Sequence, residues 1–99
     1  MTAWFVSRHP GAVEWARRHG IKAVAIDHLD IDRIAPGDAV IGTLPMHLAA
    51  AVQAKGARFF FLELDLSPEA RGHELDADEM EHYGARLVEY RIERMSEIS

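Results

Sequence analysis

The 99 residues, 48% of them hydrophobic, suffice for one small domain spanning 1–99 with a single core, and they exclude a disordered chain. The absence of cysteine excludes disulfides and thiolate metal sites. A net charge of −5 argues against broad binding to duplex DNA or RNA and leaves a small nucleotide open.

Positive charge is carried mostly by Arg, with Lys only at Lys22 and Lys55, which favours shaped anion contacts over a diffuse basic patch. No apolar run reaches membrane-spanning length, and no basic region precedes the first apolar run. A cytoplasmic, soluble protein with no membrane partner is therefore expected.

The first element is an apolar strand, Ala3-Trp4-Phe5-Val6. A helix, Val13 to His19, ends at Gly20. Between them lies Ser7-Arg8-His9-Pro10-Gly11-Ala12, a strand-to-helix turn. Free backbone N–H groups and the helix dipole make such a turn an anion site. Arg8 adds a fork suited to phosphate, and His9 adds a group that titrates near neutral pH. The plainer reading is also open: Ser or His caps the helix, and Pro10 is its first residue.

Lys22 to Asp27 reads as a second strand. His28 to Asp38 is too short for a crossover helix; Asp30 can cap a single turn, and Pro36-Gly37 is a turn signal. Asp38 to Gly42 is a third strand. Thr43 is expected to cap a helix running from Pro45 to Lys55, with Leu48 and Val52 on one face. The fourth strand is Ala57 to Leu64, whose unbroken Phe59-Phe60-Phe61-Leu62 suits a strand covered on both faces. A polar loop, Asp65 to Leu75, follows. Asp76 and Glu79 form a capping-box pattern for a last helix, which carries Met80, Tyr83, Leu87 and Tyr90 on one stripe and Val88, Ile92 and Met95 on another.

Strands alternating with helices predict an α/β domain: a three-layer sandwich with a mostly parallel, four-stranded sheet. Right-handed crossovers make 2-1-3-4 the simplest strand order. The helices after strands one and three then leave in opposite directions, and a crevice opens at the carboxyl ends of those strands. Ser7 to Gly11 and Gly42-Thr43-Leu44-Pro45 flank it. The Asp65–Leu75 loop is expected on the same rim, bringing Arg71.

Several chemistries fit poorly. The first turn lacks the Gly-x-Gly-x-x-Gly of dinucleotide sites, and no Gly-Lys-Ser/Thr follows a strand. The acids and His28 between Asp27 and Asp32 match neither a zinc nor a calcium pattern and read as a solvated turn. His19, His47, His73 and His82 fit no ligand pattern and read as surface. Arg8-His9 after a strand resembles the Arg-His-Gly of histidine phosphatases, but Pro10 interrupts it and no second catalytic His is evident. Metal-free RNA cleavage does fit. A ribose 2′-hydroxyl attacks the adjacent phosphorus in line, and the protein aligns the backbone and stabilises charge on the phosphoryl oxygens. Arg8, backbone amides at a helix start and a nearby His supply what that needs.

Four stretches together carry a family resemblance: Phe5 to Ala12, His28-Leu29-Asp30, Pro36 to Pro45, and Glu69 to Leu75. They resemble a family of small CRISPR-associated proteins that accompany type III CRISPR systems, the VVA-type Csx family. The resemblance covers nearly the whole chain in order. It implies a Rossmann-like (CARF-like) homodimer that needs no metal or cofactor. It also implies a ring nuclease, which linearises a cyclic oligoadenylate messenger, usually cyclic tetra-adenylate. A non-catalytic binder of the same ring is the alternative. On this reading Arg8, His9 and Ser7 are the expected catalytic residues. The ring would contact Ser7, Arg8, His9, Pro10, Gly11, Gly42, Thr43, Leu44, Pro45, Asp65 and Arg71. A cyclic tetranucleotide has near two-fold symmetry, which two copies of a small domain could meet with equivalent loops.

Overall fold

The computed structural model describes residues 1–99. Strand β1 (Ala3–Val6) leads into helix α1 (Pro10–Arg18), then a three-residue strand β2 (Val24–Ile26). A short 3₁₀ turn, Ile31–Arg33, precedes β3 (Ala39–Gly42), helix α2 (Met46–Ala54) and β4 (Arg58–Glu63). A second 3₁₀ turn, Pro68–Ala70, a six-residue helix α3 (Ala77–His82) and β5 (Arg86–Tyr90) complete the chain. The strands form one five-stranded sheet in the order β2-β1-β3-β4-β5. The first four are parallel neighbours, and β5 runs antiparallel to β4.

Strand count and order therefore differ from the expected four-stranded 2-1-3-4, because β5 adds beyond β4. The physical reason lies at Gly84. The capping box forms as the sequence indicates, with Glu79 N–H donating to Asp76 Oδ1 at 2.8 Å and Asp76 N–H donating to Glu79 Oε1 at 3.1 Å. The helix it starts stops within two turns. Gly84 takes φ +71°, a conformation that ends a helix cheaply only at glycine. Leu87, Val88 and Tyr90 then extend, satisfying the backbone edge that β4 would otherwise leave open. The stripe expected along one long helix is thus split between α3 and β5, and Met95 is 87% exposed.

Two apolar clusters cover the two faces of the sheet. Phe5, Ile41 and Leu62 pack with Ala12, Trp15 and Ala16 of α1 and with Ala77 and Met80 of α3. Trp4, Val40 and Phe59 pack on the other face with Ala49 and Val52 of α2 and with Ile34. Adjacent strand residues point to opposite faces. Strand β4 shows why its Phe run is unbroken: Phe59 and Phe61 face α2, and Phe60 and Leu62 face α1. Helices on both faces make three layers. No helix is long and apolar enough to cross a membrane.

Two local expectations also change. Helix α2 starts at Met46 after Pro45, and no side chain caps it; Thr43 is exposed and does not serve. Strand β2 is shorter than Lys22–Asp27. By contrast, Asp30 does cap its turn, accepting from Asp32 N–H at 3.2 Å. Asp38 is the buried polar anchor of the fold. Its carboxylate accepts from Thr2 N–H at 2.9 Å, Trp4 Nε1–H at 3.0 Å and Ala35 N–H at 3.0 Å. These bonds tie β1 to the start of β3.

Candidate functional site

The parallel pairing of β1 with β3 brings Val6 opposite Gly42, so the loops after both strands emerge side by side. Helix α1 leaves toward one face and α2 toward the other, opening a crevice between them. Gly42 is needed at its floor: a Cβ there would stand 2.7 Å from the Val6 carbonyl oxygen, and its φ is +153°. A cavity of about 560 Å³ occupies this edge. It runs from the β1 and β3 ends across the face of β4 to the start of β5, between α1 and α3.

Ser7 closes β1 by donating its N–H to Ile26 O at 2.9 Å, while its Oγ accepts from His9 N–H at 3.1 Å. His9 holds the N-cap position of α1 with Pro10 next, and its carbonyl accepts from Ala12 and Val13 N–H. The plainer capping reading is thus right about position, but not about the side chain. The imidazole makes no cap bond. Its Nδ1 instead lies 2.9 Å and 3.2 Å from the two carboxylate oxygens of Glu74. Arg8 is exposed and makes no side-chain hydrogen bond or ion pair.

Of the expected site residues, Ser7, His9, Gly42, Thr43 and Asp65 line the cavity. Arg8, Pro10, Gly11, Leu44, Pro45 and Arg71 do not. Arg8 and Pro10 are chain neighbours of the lining residues Ser7 and His9. At Gly11 a Cβ would be 1.9 Å from the Leu75 carbonyl oxygen, so this glycine serves close packing of α1 against the chain entering α3. The Asp65–Leu75 loop does reach the cavity, through Asp65, Leu66, His73 and Leu75. It does not bring Arg71 there, because Arg71 follows the 3₁₀ turn Pro68–Ala70 on its exposed side.

The cation that does line the cavity is Arg86, at the start of β5. It donates to Asp65 Oδ2 at 3.1 Å, to Glu63 Oε2 at 3.2 Å and to Gly84 O at 2.9 Å. The Asp65 bond, followed by both carboxylate charges, raises its pKa further above the ordinary arginine value. Tyr90 donates its hydroxyl to Glu63 Oε1, which raises the phenol above its usual range. Sequence reasoning missed Arg86 because it placed residue 86 on a helix; Gly84 was the available signal. His73, expected at the surface, is exposed and also lines the cavity.

No group of three or more His, Asp or Glu side chains gathers where it could hold a metal ion. The Asp27–Asp32 stretch follows the carboxyl end of β2, and there Asp30 uses its carboxylate as a cap. The cavity lining thus offers two imidazoles, a guanidinium shared with carboxylates and a serine hydroxyl, and the exposed Arg8 lies between Ser7 and His9 in the chain. Such a set can bind an anion and move a proton.

No curated protein and no solved structure matches the chain. Residues 4–93 match the family model described as "Putative CRISPR-associated protein (Cas_VVA1548)", a span that runs from the second residue of β1 past the end of β5. The chain belongs to that CRISPR-associated family.

Proposed function

We propose that the protein is a ring nuclease: it binds a cyclic oligoadenylate, of which cyclic tetra-adenylate is the first candidate, and linearises it without a metal. The observation that carries this reading is the Ser7-Arg8-His9 turn. It combines a hydroxyl and an imidazole whose Nε2 has no partner, both lining a cavity of about 560 Å³, with the exposed, unpaired Arg8 between them in the chain. The type III CRISPR setting that the sequence motifs imply supplies the substrate class.

Arg8 pairs with the non-bridging oxygens of the phosphate being cleaved, where charge builds in the transition state. The Ser7 hydroxyl, whose oxygen accepts from His9 N–H, keeps its own hydrogen free to donate to the same phosphate. A ribose 2′-hydroxyl gives its proton to His9 Nε2 as the O2′–P bond forms. The P–O5′ bond breaks, and the departing 5′ oxygen takes a proton from water. The products carry a 2′,3′-cyclic phosphate and a 5′-hydroxyl.

A cavity of about 560 Å³ is the size of a small-ligand site and takes roughly half of a four-nucleotide ring. Two copies about a two-fold axis offer the ring equivalent halves, so a homodimer is the working form. The test is incubation with cyclic tetra-adenylate in the presence of chelator, with product ends identified by chromatography. Linear products ending in cyclic phosphate support the reading. Intact but protein-bound ring would make the protein a binder, and unbound ring would remove the substrate.

A further inference from the structure

We infer that Glu74 is a positioning residue for His9: its carboxylate holds the imidazole in the tautomer that carries hydrogen on Nδ1, so that Nε2 is the basic nitrogen. The consequence for rate rests on the ring-cleavage reading above; the pairing is a property of the free protein.

An ionised carboxylate only accepts hydrogen bonds. Both Glu74 oxygens lie within hydrogen-bond distance of His9 Nδ1, so that nitrogen bears the hydrogen. Nε2 then keeps its lone pair and makes no bond within the protein. The contact spans 65 residues of sequence, so a local turn does not produce it. Two adjacent features of the backbone do. The Leu75 carbonyl packs so closely on Gly11 that no side chain fits between them. The next residue, Asp76, is locked by its reciprocal bonds with Glu79. The chain just after Glu74 is thereby clamped to the turn that carries His9. The two carboxylates that line the cavity are engaged elsewhere: Glu63 takes Tyr90 and Arg86, and Asp65 takes Arg86.

Stability does not account for the pair. The side chains are 63% and 61% exposed, and such surface ion pairs contribute little to folding. Orientation does account for it, because a histidine with hydrogen on Nε2 cannot accept the 2′-hydroxyl proton there. In hydrolytic triads, loss of the orienting carboxylate lets the imidazole take the wrong tautomer, and the rate falls steeply.

The test uses Glu74→Ala and Glu74→Gln in the full chain. Imidazole ¹⁵N spectra of the unliganded proteins, assigned with His9→Gln, report which nitrogen of neutral His9 carries hydrogen. Wild type and Glu74→Gln, whose amide oxygen still accepts, should show the Nδ1–H form; Glu74→Ala should shift to Nε2–H. In ring cleavage, Glu74→Ala should lower kcat by about 10- to 100-fold with KM nearly unchanged, and Glu74→Gln should recover most of it. An identical tautomer in wild type and Glu74→Ala overturns the pairing. A shifted tautomer with unchanged kcat, or an effect on KM alone, overturns the positioning role. If wild type itself leaves the ring intact, the cleavage reading fails, and the spectra alone decide the pairing.

Discussion

Gly11→Ala should destabilise the protein although it places a better helix former in α1. The methyl would stand 1.9 Å from the Leu75 carbonyl oxygen and 2.9 Å from the carbonyl carbon. Tight carbon–oxygen contacts lie at about 3.3 Å, so one backbone must retreat by more than 1 Å. A flexible side chain could swing away; a carbonyl next to a locked capping box cannot. Alanine returns at most about 1 kcal/mol over glycine in a helix interior, and less in the first turn. Overpacking against fixed structure costs about 1–3 kcal/mol or more, so the clash wins. A net loss of about 1–2 kcal/mol lowers Tm by roughly 4–16 °C in a domain of this size. Urea denaturation of both proteins, with m unchanged, measures it. Because the same contact delivers Glu74 to His9, ring cleavage should fall as well, in samples held well below the variant's Tm. A variant as stable as wild type would refute the close packing of α1 on Leu75, and with it the clamp on Glu74.

Asp38 gives a pH signature. Its bonds from Trp4, Ala35 and Thr2 hold the carboxyl at about 2, below its ordinary 3.8. A depressed carboxyl stabilises the fold fully above its unfolded pKa and stops doing so as pH falls through the folded one. Asp38→Asn should therefore lower the urea midpoint near neutral pH, with the gap to wild type closing between about pH 4 and 2; a gap constant with pH would contradict this. Phe59→Ala, at a side chain 1% exposed, should cost ~3–5 kcal/mol by denaturation, and a loss under ~1 kcal/mol would contradict its place in the core. Arg8→Ala should leave Tm unchanged, since Arg8 has no partner in the protein, while weakening ring binding by ~1.5–3 kcal/mol in calorimetry. Unaltered affinity would take Arg8 out of the site.

The first two thirds of the fold is legible in the sequence because each element has its own period and its own stop. Gly20 and Gly56 end α1 and α2 with positive φ, and the unbroken apolar runs of β1, β3 and β4 match their two covered faces. The last third is not. Met80, Tyr83, Leu87 and Tyr90 recur at helical spacing, yet Gly84 and the open edge of β4 outweigh that spacing. The site divides along the same line. Ser7, His9, Gly42 and Thr43 follow from the ends of adjacent parallel strands. Arg86 depends on β5 pairing, and Glu74 depends on the path of a polar loop; neither carries a local signature. Arg71 shows the converse limit: a charge in the right loop need not face the cavity, because spacing does not give side-chain direction around a 3₁₀ turn.

The most direct measurement is the single-turnover rate of cyclic tetra-adenylate cleavage by wild type and His9→Ala, at saturating ring and in chelator. With His9 Nε2 as the proton acceptor, the variant should cleave ~10²–10⁴-fold more slowly while binding the ring within a few fold of wild type. A His9→Ala protein that cleaves at the wild-type rate would contradict the account, leaving alignment by Arg8 and the helix start as the whole of the chemistry.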